Sequence, residues 1–205
     1  GALGTDTGGS VRLPAAMCGV IGLKGTLTRT SRHGLLPQSH SMELPGPLAR
    51  TARDCARMMS VIAGHDPSDA KTSHRRVPDY ESTLERPVRG MRIGVPRAEL
   101  RAATSTEVDA LLDASLAVYG ELGAEIVEVE LAGLDAMVNR WKVIMAVESA
   151  AVHGNSIRAH PQAYAEQVRQ RIETGFHVPG SRYVEALHCR GHDLARVMHE
   201  VFSRV

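Results

Sequence analysis

Two glycines stand directly before a serine, Gly8-Gly9-Ser10, within GTDTGGSVRLPAAMCGVIGLKGT, residues 4–26. Glycine loses the most backbone freedom on folding, so a pair of them in a stretch without a helical stripe implies unusual dihedrals or a partner that approaches the main chain closely. The segment is therefore a candidate site whose chemistry would be that of a serine hydroxyl. On local pattern alone a turn serine is the commoner outcome. Ser10 is not in a G-x-S-x-G elbow, because Arg12 takes the second glycine position. Other reactive types give weaker patterns. His188, His192 and His199 recur at helical spacing and could bind zinc, but no Glu follows His188, and a solvated helix face is the better reading. Cys18 reads as a small buried hydrophobe rather than a reactive thiol. GVIGLKGT fails both phosphate-loop patterns.

The elements that must position this segment are unevenly legible. Residues 1–26 read as a glycine-punctuated loop passing into a short buried stretch, CGVIGLKG, and residues 27–50 as loop and turn. TARDCARMMSVIAG predicts a helix with Thr51 as N-cap, Ala52, Cys55, Met58, Met59 and Ile62 on one face, and Gly64 as its stop. His65 to Gly90 reads as an extended surface connection. From Met91 the pattern is strand (MRIGVP), helix (Ser105 cap to Gly123) and strand (AEIVEVEL), a βαβ-like unit that implies parallel pairing. Helices are expected over about 134–153, 161–173 and 181–204. The expected organisation is one domain, with a core at 1–64, a connection at 65–90 and the remainder at 91–205.

The chain has 205 residues, 43% of them hydrophobic and 23% charged, and a net charge of +1 from 24 basic and 23 acidic groups. That composition suits a folded domain with a substantial core and excludes a disordered chain. No basic block with interleaved aromatics points to nucleic acid, and no apolar run approaches a membrane span. Three separated cysteines suggest neither a disulfide framework nor a zinc knuckle, which fits a reducing cytoplasm. The chain opens at Gly1 and enters its most site-like segment within ten residues, as a fragment would.

Residues 4–26 resemble the heart of the amidase signature family, close to G-[ST]-D-x-G-G-S-[IV]-R-x-P-[AS]-A-x-C-G-[IV]-x-G-L-K-P-T. Further matches follow in order: TRTSRHGLLP, SMELPGPLART, ARDCARMMSVIAGHDPSD and GMRIGVP. The resemblance implies an α/β fold, a mixed β-sheet flanked by helices, incomplete in this chain. It implies hydrolysis or transfer of a small-molecule amide by a serine nucleophile, a second serine after a cis peptide bond, and a lysine, with no cofactor and no metal. Ser10 would be the nucleophile. The main-chain N–H groups of Thr7, Gly8, Gly9 and Ser10 would receive the developing oxyanion, each donor being worth about 3 kcal/mol in the transition state. Thr5 would support the second serine, and Asp6 with Arg12 would brace the turn as an ion pair. The lysine and second serine would lie outside residues 1–205. Lys24 matches a structural lysine and not the catalytic one.

The match departs at Gly25 (usually proline), Leu27 (often aromatic) and Glu43 (commonly Asp), of which Glu43 bears most on substrate fit. Three functions remain open on sequence: a stand-alone amidase, the glutaminase subunit of a tRNA-dependent amidotransferase with partner subunits, and a non-catalytic fragment or interaction module. A homodimer is also compatible with the resemblance.

Overall fold

In LPGPLA, residues 44–49, two prolines two apart remove N–H groups from one edge only of an extended segment, because successive residues turn their hydrogen-bonding groups to opposite sides. The structure, a computed structural model describing residues 1–205, uses that parity. Ala2–Asp6 forms β1, Ile21–Gly22 forms β2, and Leu44–Ala49 forms β3, the middle strand of an antiparallel sheet ordered β1-β3-β2. The Pro47 carbonyl accepts from Leu23 N at 3.0 Å on the β2 side. Residues 45 and 47 thus face β2, and the ladder with β1, from Ala2 opposite Leu48 to Asp6 opposite Leu44, loses no donor. β2 pairs only Ile21 with Ala49 and Gly22 with Leu48, and stops where Pro47 has no N–H to give. The loops expected over 1–26 and 27–50 are corrected here: both contain strand.

The small-residue run is also more ordered than its pattern suggests. Arg12–Met17 forms α1, with Pro14 in the first turn, where its missing N–H removes no helical bond. Val11 and Ala15 are buried, and a Cβ at Gly22 would meet Val11 O at 2.6 Å and Ala15 Cβ at 2.8 Å. The lack of large side chains is what lets α1 lie against β2. Cys18, expected to be buried, ends this helix and is exposed, because the buried face of α1 is carried by Val11 and Ala15. Ala52–Ile62 forms α2. The Thr51 hydroxyl caps it, accepting from Asp54 N at 3.0 Å, and Cys55, Ala56 and Met59 form its buried face. Residues 65–90 contain no helix or strand, but Thr72 is buried and its Oγ1 accepts from Asp66 N at 2.9 Å.

By their internal contacts, residues 1–85 and 143–179 form one unit, and residues 86–142 and 180–205 another. The expected division at residue 90 therefore differs from the structure, in which 143–179 pack with the N-terminal part. In the second unit Arg92–Val95 (β4) and Glu125–Glu128 (β5) pair in parallel, Arg92 opposite Glu125. Between them run Arg97–Ala103 (α3), which the sequence does not announce, and Thr106–Glu121 (α4), capped by Ser105. Leu134–Ala159 forms α5, Glu166–Glu173 forms α6, and Gly180–Phe202 forms α7. In the first unit Ala150, Ile157 and Ile172 make a core against which Tyr164 packs. No helix is long and apolar enough to cross a membrane.

Candidate active site

The turn between β1 and α1 is organised by one carboxylate. Asp6 is the last residue of β1 and is fully buried. Its Oδ1 accepts from Gly9 N at 2.8 Å and from Arg12 Nη2 at 3.0 Å, while its Oδ2 accepts from Val11 N at 3.3 Å, Arg12 N at 3.4 Å and Arg12 Nε at 3.0 Å. α1 has no side-chain cap of its own at Val11, so the Asp6 carboxylate, reaching forward from the strand, satisfies the first amides of the helix. Burial alone would raise the Asp6 pKa. The Arg12 hydrogen bond, the Gly9 amide, the Arg12 charge and the Val11 amide outweigh it and hold the pKa at about 2, below the ordinary 3.8. The same pairing raises the pKa of Arg12, whose side chain is half exposed.

This bracing fixes where the candidate residues lie. Gly9 has φ +129°, a conformation that residues with a side chain rarely adopt. Leu13 N donates to Gly9 O at 2.7 Å. Ser10 follows, exposed, immediately before the first turn of α1, and its hydroxyl engages no neighbouring group. The Gly9 amide, expected among the oxyanion donors, is instead committed to Asp6. The hydrogen bonds that shape the loop leave out the amides of Thr7, Gly8 and Ser10. Thr7 is buried and its Oγ1 has no partner. Thr5 lies in β1 opposite Pro45, half-buried.

A second loop of the same unit is held by two buried carboxylates, only one of which stands out in the sequence. Glu43 Oε2 accepts from the Gln38 amide, and from Ser39 N at 3.3 Å, so its carboxylate shapes residues 38–43 from within. Glu148 on α5 accepts from Ser39 Oγ, and from Ser41 N at 2.9 Å. Ser149 Oγ adds a bond to Gln38 O at 3.1 Å. Sequence reasoning misses Glu148; the signal available is a lone acidic residue in an otherwise apolar and small stretch, VIMAVESAAV. The histidines do not assemble a metal centre. His188 and His192 have rings 5.1 Å apart, and no group of three or more His, Cys, Asp or Glu side chains could hold a metal ion.

The family model described as Amidase matches residues 1–203. The chain belongs to the amidase family. It is 37% identical over 205 residues to an amidase of Pseudomonas putida, covering all of this chain and 44% of that one. It is 35% identical over 207 residues to the A subunit of the glutamyl-tRNA(Gln) amidotransferase of Pelobacter propionicus, covering 92% of this chain and 43% of that one. Among solved structures, the A subunit of the Thermotoga maritima glutamyl-tRNA(Gln) amidotransferase superposes with a TM-score of 0.76 at 30% identity, over 98% of this chain and 44% of that one. A chain from a vestigial complex linked to the origins of an s-triazine catabolic enzyme gives 0.83 at 29% identity, over 98% and 42%. The amidase chain thus spans less than half the length of the curated relatives it matches. Its fold is the corresponding part of the amidase signature fold, a mixed α/β arrangement whose strands here form one small antiparallel and one parallel sheet.

Proposed function

We propose that the protein of which these residues are part hydrolyses a carboxamide through an acyl-Ser10 intermediate, acting in the cytoplasm on a small-molecule amide. Ser10 Oγ attacks the carbonyl carbon and the oxygen becomes an oxyanion, received by the amides of Thr7, Gly8 and Ser10. The C–N bond then breaks. The Ser10 proton passes through a base to the departing nitrogen, which leaves as ammonia or amine, and water cleaves the acyl ester to carboxylate and free serine. The base and the relaying second serine are supplied from outside residues 1–205, as the family resemblance implies, and Lys24 is not that base. Thr5 supports the relay. Asp6 and Arg12 act through the loop, holding Gly9 and the start of α1 so that Ser10 stays exposed.

The observation that carries this reading is the buried Asp6 carboxylate, which binds the Gly9, Val11 and Arg12 amides and leaves the hydroxyl of Ser10 and the amides of Thr7, Gly8 and Ser10 uncommitted. The test is covalent labelling of the full-length protein with a fluorophosphonate, followed by mass analysis of the peptide containing Ser10. A mass increase there, lost in Ser10→Ala, is the expected result. Labelling elsewhere, or undiminished amide turnover by a folded Ser10→Ala variant, overturns the assignment of Ser10, while absence of both labelling and turnover in the full-length protein leaves the non-catalytic module.

A second reading, glutaminase action within a tRNA-dependent amidotransferase, is favoured by relatives such as that of Pelobacter propionicus, which is named as the A subunit of such an enzyme. It uses the same Ser10 chemistry but passes ammonia to a partner protein. Glutamine turnover that rises on adding the other subunits would select it. Turnover of simple carboxamides by the protein alone or as a homodimer selects the amidase.

A further inference from the structure

Within the first unit, residues 23–29 and 73–80 face a common cavity of about 990 Å³, also lined by Met59. Four cationic side chains line it, Lys24, Arg29, Arg75 and Arg76, and no carboxylate does. Arg29 builds the site. Its Nη1 donates to the Arg75 carbonyl at 3.0 Å, and its Nη2 to the Arg76 carbonyl at 3.2 Å and to Tyr80 Oη at 3.2 Å. Ser73 N donates to Thr28 O at 2.9 Å, and Ser73 Oγ accepts from Arg75 N at 3.2 Å. These bonds tie the two segments together through main-chain atoms of residues 75 and 76, leaving the side chains of Arg75 and Arg76 uncommitted.

The carboxylates next in sequence are engaged elsewhere. Asp79 Oδ1 accepts from the amides of Glu81 and Ser82. Glu81 holds Arg53 and Arg57, and Glu85 holds Arg53. Lys24, Arg29, Arg75 and Arg76 form no ion pair with any carboxylate of the chain. Four like charges drawn into one concavity repel one another, and the potential there attracts a multivalent anion. A single carboxylate would balance only one of them. The planar forks of arginine fit phosphate oxygens in pairs, the cavity has the size of a small-molecule site, and Leu27, Pro78 and the Tyr80 ring offer apolar surface to an organic body.

We propose that this cavity binds the phosphate groups of a phosphorylated small molecule. The site is separate in its residues from the Ser10 loop and does not depend on the assignment of Ser10.

The test is calorimetric titration of the full-length protein with inorganic pyrophosphate at low salt. Wild type is expected to bind with a Kd of about 1 mM or tighter, and Arg75→Gln/Arg76→Gln to bind at least about tenfold more weakly. Because Arg29 bonds to main-chain oxygens at 75 and 76, that variant keeps the scaffold, and its melting temperature is expected to stay within about 2 °C of wild type. Lys24→Gln should also weaken binding, while Ser10→Ala should bind pyrophosphate as wild type does, so the site can fail without the amidase reading failing, and the reverse. No binding by wild type at about 20 mM pyrophosphate, or equal binding by the double variant, overturns the proposal. Citrate binding as tightly as pyrophosphate overturns the assignment to phosphate. A short RNA that binds more tightly than pyrophosphate, and loses binding in the double variant, overturns the small-molecule assignment in favour of nucleic acid.

Discussion

Replacing Asp6 by Asn removes one charge and almost no volume, yet the structure predicts one of the larger single-site losses of stability in this chain. Five donors converge on the two carboxylate oxygens. An amide has one oxygen to accept with, and its NH2 group must confront donors on the other side, so at least two of the five lose their acceptor. Holding the Asp6 carboxyl at about 2 rather than 3.8 corresponds to about 2 kcal/mol of folding free energy at neutral pH. Buried donors left without an acceptor cost about 1–3 kcal/mol each, but Arg12 is half exposed and water takes over part of its share. The expected destabilisation is thus about 2–4 kcal/mol at pH 7, read from urea denaturation. The direction of the shift also sets the pH dependence. The folded carboxyl binds a proton less readily than the unfolded one, so its stabilisation is complete above about pH 5 and fades as pH falls through 4 toward 2. The gap between wild type and Asp6→Asn should therefore narrow across that window, whatever other carboxylates titrate in both proteins. Serine labelling should fall in the variant although Ser10 is intact. A difference below about 0.5 kcal/mol at pH 7, or a gap that does not close on acidification, would refute the argument that Asp6 builds this turn.

Other positions separate chemistry from scaffold. Ser10→Ala should abolish fluorophosphonate labelling while shifting stability by no more than about 0.5 kcal/mol, since the hydroxyl is exposed and bonded to nothing; thermal unfolding beside the labelling assay checks both. Gly9→Ala forces a side chain onto φ +129° and brings its Cβ to 2.8 Å from Leu13 Cδ1, so a loss of about 1–3 kcal/mol in denaturant titration is expected. Glu148→Ala deprives Ser39 and Ser41 of a buried acceptor, and a loss of about 2–3 kcal/mol together with faster amide exchange over residues 38–43 is expected. Thr51→Ala should cost about 1 kcal/mol through the lost cap of α2, measured by urea denaturation.

What could be read in the sequence depended on whether the information was local. Thr51, Ser105 and the parallel pair β4–β5 were legible because caps and alternation are short-range signals, and the turn at Gly8-Gly9-Ser10 announced itself by composition. β1 and β3 were not. Apart from Thr5, GALGTD and LPGPLA lack the β-branched and aromatic residues of ordinary strands, and they are strands because they pair with each other across some forty residues, an event no window contains. The prolines that argue against β3 are compatible with it only through a parity that becomes visible once β1 is known to lie on the opposite side from β2. The same holds at the site. Sequence places Asp6 and Arg12 in a braced turn, but it treats the amides of Thr7, Gly8, Gly9 and Ser10 as equivalent. In three dimensions the Gly9 amide closes the turn on Asp6, which also holds the Val11 and Arg12 amides. The two glycines therefore differ: Gly9 has the positive φ at the corner before the exposed Ser10, and Gly8 keeps its amide outside the loop's own bonding. The Asp6 carboxylate thus separates the amides of this loop into those of Gly9, Val11 and Arg12, which hold its shape, and those of Thr7, Gly8 and Ser10, which its bonds leave out.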